Sequence, residues 1–153
     1  MTWTQRYKQA HELDFKTKYP TAYKDGHYFS PKIPDITKSN GLTQACVNFI
    51  NWNGYNADRV NTTGRLINGV QKQPSGVVLG VKKFIPSANR KGTADIGATI
   101  KGRSVKIEIK VGRDKPSDEQ LREQERERKA GGIYEFIHDM DEFLLLYDKT
   151  VSL

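Results

Sequence analysis

The sequence predicts an α/β fold, and three patterns carry that expectation. Apolar residues at three- and four-residue steps mark a helix over 39–53, strict alternation marks two successive strands over 95–100 and 105–111, and a polar helix, a short strand and a last helix follow over 117–148. At 153 residues and 17.4 kDa the chain has the size of one domain. Its core is expected over 39–153, with residues 1–38 forming a helical N-terminal arm.

Taken in order, residues 3–18 place Trp3, Tyr7, Leu13 and Phe15 as scattered apolar positions of a short helix, closed by Lys18-Tyr19-Pro20. The stretch 19–40 holds Pro20, Pro31, Pro34 and the turn pair Asp25-Gly26 without periodicity, as an arm or linker does. In 39–53, Leu42, Ala45, Cys46, Phe49 and Ile50 share one face, and Gly54 supplies the stop. Residues 55–61, 65–70 and 76–85 read as strands, separated by Thr62-Thr63-Gly64 and Gln73-Pro74-Ser75.

The clearest strands come next. Ile96, Ala98 and Ile100 alternate with Asp95, Gly97 and Thr99, and Val105, Ile107, Ile109 and Val111 alternate with Lys106, Glu108 and Lys110. A tight turn at Lys101-Gly102 pairs Ile100 with Arg103 and sets Asp95 opposite Glu108; a four-residue loop sets it opposite Lys110. Either register collects Asp95, Glu108 and Lys110 on one face. Ser117 caps the polar helix, Gly131-Gly132 ends it, 133–137 is a strand, and 139–148 is a helix burying Met140, Phe143, Leu144 and Tyr147.

Composition excludes several classes. No apolar run approaches the roughly 20 residues of a bilayer span, and the charged first 30 residues do not resemble a secretory signal, so a cytoplasmic protein without membrane contact is expected. The single cysteine, Cys46, lies in an apolar segment and is expected to pack in the core; it leaves no disulfide framework and no cysteine-based zinc site. His11, His27 and His138 have no ligand spacing, and Trp3, Trp52, Tyr55 and Tyr134 are expected as core or interface aromatics.

The net charge of +7 is unevenly placed. Residues 1–93 hold 14 Lys and Arg against 5 Asp and Glu, whereas 94–153 hold 11 against 13. A basic region attracts a polyanion, and clustered carboxylates repel one unless a divalent cation lies between. Nucleic acid together with a metal reconciles the two halves.

Glu108 and Lys110 are neighbours on one strand face, with Ile109 turned to the core and its carbonyl at the edge of the site. Two carboxylates facing each other across a hairpin repel, a cost that a bound Mg2+ with oxygen ligands removes. A lysine two residues on can orient or help deprotonate a water and stabilise charge building on a phosphoryl group. Phosphodiester hydrolysis is the natural use; the plain alternative is a half-exposed strand whose Glu and Lys pair with each other.

The ordered set Gly92-Thr93-Ala94-Asp95, Glu108-Ile109-Lys110, Ser117-x-x-Gln120 and Ala130-Gly131-Gly132-Ile133-Tyr134 resembles the VRR-NUC group of the PD-(D/E)XK nuclease superfamily over about residues 39–148. The resemblance implies a restriction-endonuclease-like core with a central mixed β-sheet flanked by helices. It also implies an Mg2+- or Mn2+-dependent endonuclease acting on duplex or branched DNA, including Holliday junctions, and a homodimer of phage or mobile-element type. Asp95 and Glu108 match the metal-binding carboxylates, the Ile109 backbone carbonyl a further ligand, Lys110 the catalytic lysine and Gln120 the glutamine of the following helix. Families of this kind usually bring an acid from the first core helix, yet 39–53 contains none. Asn40 or Gln44 is the available oxygen donor there, without charge, so weaker metal binding is expected.

Gln120 has two readings. In Ser117-x-x-Gln120 it either completes a capping box or serves the site. The helix it opens has Leu121 as nearly its only large apolar residue, so it either floats on Asp118–Arg122 and Glu125–Lys129 pairs or borders a polar cleft. For nucleic acid, Arg59, Arg65, Lys82, Lys83, Arg90, Lys91, Arg113 and Lys115 are the phosphate-contact candidates, Arg90 and Lys91 first among them. The rival to an enzyme is an inactive nuclease-fold module that binds nucleic acid without cutting.

Overall fold

Helices cover both faces of a four-stranded mixed sheet in the computed structural model, which describes residues 1–60, 65–85 and 89–153, and of Arg65 only the backbone. The helices are α1 (Trp3–Lys18), α2 (Pro20–Lys24), α3 (Ser39–Trp52), α4 (Asp118–Lys129) and α5 (Met140–Ser152). The strands are β1 (Asn56–Arg59), β2 (Arg65–Lys72), β3 (Val78–Ile85), β4 (Ile96–Ile100), β5 (Arg103–Ile109) and β6 (Ile133–Ile137).

The strand order is β1-β4-β5-β6, antiparallel except for the parallel pair β5 and β6, which α4 connects. Lys101 and Gly102 have φ of 49° and 76°, the pair of left-handed residues that a two-residue hairpin turn requires, and they join Ile100 to Arg103. Of the two registers open to the sequence, the tight one is therefore realised. Ile96 pairs with Ile107, which places Asp95 opposite Glu108.

Alternation then sorts the side chains. Ile96, Ala98, Ile100, Val105, Ile107 and Ile109 are buried on one face against Leu42, Ala45, Cys46, Phe49 and Ile50 of α3 and Phe143, Leu144 and Tyr147 of α5. The helix α1 joins this layer: Tyr7 is fully buried, its hydroxyl accepts from Asn48 at 2.9 Å, and its ring meets Trp52 edge-to-face at 4.8 Å. Arg6 also forks onto Asp148 of α5 at 2.6 and 2.8 Å. The buried positions of α1 are Tyr7 and Ala10, while Leu13 is exposed. The helix is started by a Thr2–Gln5 capping box.

Within 19–40, expected as irregular, Pro20 opens the short α2, its fixed φ suiting a first helical turn. The predicted strand 55–61 is described only as Asn56–Arg59, and its last residue and the Thr62-Thr63-Gly64 separator lie outside the described residues. β5 starts at Arg103 and α5 continues to Ser152, both beyond the sequence expectation. β2 and β3 form a separate two-stranded ribbon rather than part of the main sheet, and every residue of β3 is exposed. Among the described residues no helix is long and apolar enough to cross a membrane.

Candidate functional site

The other face of the sheet is polar, and α4 lies over it. Glu108 and Lys110 occupy the end of β5 and the residue after it, with only 5% and 4% of their surfaces exposed. Two ionisable side chains buried to that degree demand partners. Lys110 Nζ lies 3.3 Å from Glu108 Oε1 and 3.3 Å from Asp114 Oδ2, and its backbone amide donates to Ile137 of β6 at 2.9 Å. Glu108 Oε1 also accepts from the Gln120 amide. Glu108 Oε2, in contrast, is buried with no hydrogen-bond partner among the described residues.

Asp95 precedes β4 on the same face and is half-buried. Its Oδ2 accepts from the Ile109 backbone amide at 3.0 Å, and its own carbonyl accepts from Val60 at 2.8 Å, so the chains on either side of β4 hold its side chain and its backbone. Burial foremost, and then the neighbouring Asp95 carboxylate, push Glu108 up to about 7, against the pull of Lys110. The proton is favoured on a group that, ionised, would have one oxygen unsatisfied.

Gln120 both caps α4 and touches Glu108. Its Oε1 accepts from the Ser117 amide at 2.9 Å while its Nε2 donates to Glu108, so one side chain caps α4 and reaches the carboxylate beneath. One turn further, Gln124 Nε2 donates to the Tyr134 carbonyl at 3.0 Å. The helix thus borders the polar face. The Asp118–Arg122 and Glu125–Lys129 pairs do not form among the described residues; Glu123 instead holds Arg126 at 2.7 Å and Arg90 at 3.3 Å, and Arg128 holds Glu135 at 2.8 Å. Arg128 and one contact of Glu123 thus go to β6 and the 90–95 loop, while the Glu123–Arg126 pair stays within α4.

Two residues of this region carry a role beyond their place in the motif. Gly92 has φ 82°, and a Cβ there would lie 2.5 Å from the Glu119 carbonyl oxygen, so the loop leading to Asp95 passes against the start of α4 where only glycine fits. Tyr134, fully buried, donates from its hydroxyl to the Gly92 carbonyl at 3.0 Å; burial raises its phenol well above the ordinary range. Sequence reasoning had Tyr134 as a core aromatic and did not single out Asp114. The only signal for Asp114 was its four-residue offset from Lys110 across Gly112.

The helix α3 packs on the opposite, apolar face, and this places the neutral donors. The carbonyl oxygen of Asn40 accepts from Arg59, and Gln44 is exposed and donates to Asn48 at 2.7 Å. Both amides are engaged away from Asp95 and Glu108. Arg59 accordingly sits on the α3 side of the edge strand. Lys91, Arg113 and Lys115 are exposed in the loops flanking Asp95 and Lys110, Arg90 is exposed beside Glu123, and Lys82 and Lys83 are exposed on β3. The Arg65 side chain lies outside the described residues. Cys46 is buried as expected, and burial raises its thiol far above the ordinary range.

Among the described residues no third His, Cys, Asp or Glu joins the Asp95–Glu108 pair in a metal-holding group. Comparison with protein-family models and with curated proteins gave no match for this chain.

Proposed function

We propose that this chain is an Mg2+- or Mn2+-dependent nuclease hydrolysing DNA phosphodiester bonds, with Asp95, Glu108 and Lys110 as its centre. The observation that carries this reading is the unpartnered Glu108 Oε2, buried opposite a second carboxylate and next to an ammonium. Such a group does little for stability, since a well-packed apolar replacement is often neutral or stabilising, and this points to a use beyond packing. A hard divalent cation suits the donors present: the Glu108 oxygen, Asp95 and, by the motif, the Ile109 carbonyl. Bound there, such an ion supplies Lewis-acid activation of water and charge for the scissile phosphate.

The protein's own residues do the rest. Gln120 fixes the Glu108 rotamer through its amide, and the Ile109 amide fixes Asp95. Lys110 brings a cation to the place where negative charge builds on the phosphoryl oxygens. Asp114 shares Lys110, so the ammonium has a resting position from which it can turn to substrate. The motif order supports this reading, and a preference for branched DNA and a homodimeric state go with it as parts of the same proposal.

The second reading, binding without cutting, is favoured by one specific observation: the absence of any acid in α3 and the diversion of Asn40 and Gln44 to other partners. Cleavage assays on duplex and branched DNA with Mn2+ decide between them. Asp95→Ala and Lys110→Ala are each expected to lower the rate by roughly a hundredfold to a thousandfold or more. Wild-type protein that takes up no Mn2+ by calorimetry and cuts nothing would hand the molecule to the binding reading.

A further inference from the structure

The ribbon β2–β3 is the part of the molecule for which the proposed centre has no use, and its composition is peculiar. Residues 65–85 contain Arg65, Lys72, Lys82 and Lys83 and not one Asp or Glu. The strands pair throughout, from Arg65 with Ile85 to Lys72 with Val78, and the turn closes through Gln73 and Gly76. Alternation puts Leu66, Asn68, Val70 and Lys72 on the same face as Val78, Lys82 and Phe84. Leu66, Val70 and Phe84 are 66%, 74% and 60% exposed, far more apolar surface than a two-stranded ribbon leaves open without a partner.

We propose that this ribbon is an arm that lies along duplex DNA with the Leu66–Phe84 face against the groove, Lys72 and Lys82 of that face on phosphates and Lys83, on the opposite face, reaching a flanking phosphate around the edge of the ribbon. The inference rests on the nuclease reading for its choice of partner. Three features favour DNA over a second copy of the chain. Two copies meeting through this element would bring two all-cationic ribbons together, whereas a polyanion neutralises them. An antiparallel two-stranded ribbon has the width that the DNA major groove accepts, where apolar side chains meet thymine methyl groups. The ribbon also leaves the fold at the site itself. Val60 donates to the Asp95 carbonyl on the outgoing side, and on the return Arg90 is held by Glu123 and the Gly92 carbonyl by Tyr134.

Binding of a labelled random-sequence duplex in EDTA tests this apart from catalysis. The triple variant Lys72→Ala, Lys82→Ala, Lys83→Ala is expected to bind on the order of tenfold to a hundredfold more weakly near physiological salt. Its slope of log affinity against log salt is expected to be shallower by about two to three units. Leu66→Ser with Phe84→Ser should weaken binding without changing that slope. An unchanged affinity and slope in the lysine variant would overturn the proposal. So would wild-type protein that does not bind duplex, or an apolar-face variant that turns a dimer into a monomer and binds duplex as before. The centre fails separately: if Asp95→Ala still cuts DNA in Mn2+, the nuclease site is wrong while the ribbon result stands.

Discussion

The two faces of the four-stranded sheet are built from the same strands and obey opposite rules. On one, Ile96, Ile107 and Val105 meet α3 and α5 in a layer whose buried residues, among those described, are all uncharged; on the other, Glu108, Lys110 and Gln120 meet beneath a helix with no buried residue. The apolar face is cheap to build, since each burial removes oily surface from water and leaves no polar atom to satisfy. The polar face costs desolvation at two ionisable groups and leaves one oxygen unpaired. The contrast teaches where stability and chemistry are separated in this fold: substitutions on the first face should act on unfolding, those on the second on metal and substrate.

The comparison is broken most directly at Phe143, which is buried against Phe49 and Tyr147. Phe143→Ala should cost about 3–5 kcal/mol in chemical denaturation. At temperatures where the variant stays folded, Mn2+ uptake should be that of the wild type. A variant of near-normal stability that has lost the metal would show the two faces to be one coupled unit.

The next test exploits the buried ion pair. Removing Lys110 alone, as in Lys110→Met, leaves Glu108 either to bury an unpaired charge or to take up a proton, and should cost up to about 3–5 kcal/mol, most of it above neutral pH. Combining Glu108→Leu with Lys110→Met should recover most of that loss, or exceed wild-type stability, while abolishing cleavage. The pH dependence follows from the same group. Glu108 lies near 7 in the folded chain against an ordinary 4.5, so its contribution to metal-free stability is complete below about 4.5 and is lost as pH rises through about 7. Denaturation midpoints across that window should therefore fall more steeply with pH in wild type than in Glu108→Gln. A divalent ion needs the carboxylate ionised, so its uptake should weaken below pH 7 and release a proton there.

Much of this arrangement was legible from residue order. Strict alternation and the Lys101-Gly102 pair narrow the register to two, both with Asp95, Glu108 and Lys110 on one face, and the folded hairpin adopts the tight one. What was illegible depends on contacts between distant segments. Tyr134 reaching Gly92, Arg90 reaching Glu123 and Asn40 reaching Arg59 each join residues whose separation no periodicity encodes. The helix α2 was missed for a different reason: with three prolines in its neighbourhood, the local signal spoke for irregular chain, and a single proline at a first helical position reverses that. The ribbon β2–β3 was read correctly as strands but not as a separate sheet, because pairing partners are not written in a strand's own pattern.

The smallest effect separates the two jobs of Gln120. Ser117→Ala removes the side chain that accepts from the Gln120 backbone N–H and so loses half of the capping box, at about 1 kcal/mol. It leaves the Gln120-to-Glu108 bond in place, and cleavage by the folded variant should be near normal. Gln120→Ala loses the reciprocal cap and also frees Glu108 Oε1 from its amide donor. Its stability loss should be of similar size, since a neutral hydrogen bond contributes about 1 kcal/mol net. Its rate should nevertheless fall by roughly tenfold, because a carboxylate held only by Lys110 is no longer fixed in one rotamer. Gln120→Glu keeps the capping geometry and places a carboxylate against Glu108, so it should match the wild-type cap while weakening cleavage at neutral pH more than at acid pH. Equal rates for Ser117→Ala and Gln120→Ala, measured at matched folded fractions, would reduce Gln120 to a cap and return the positioning of Glu108 to Lys110 alone.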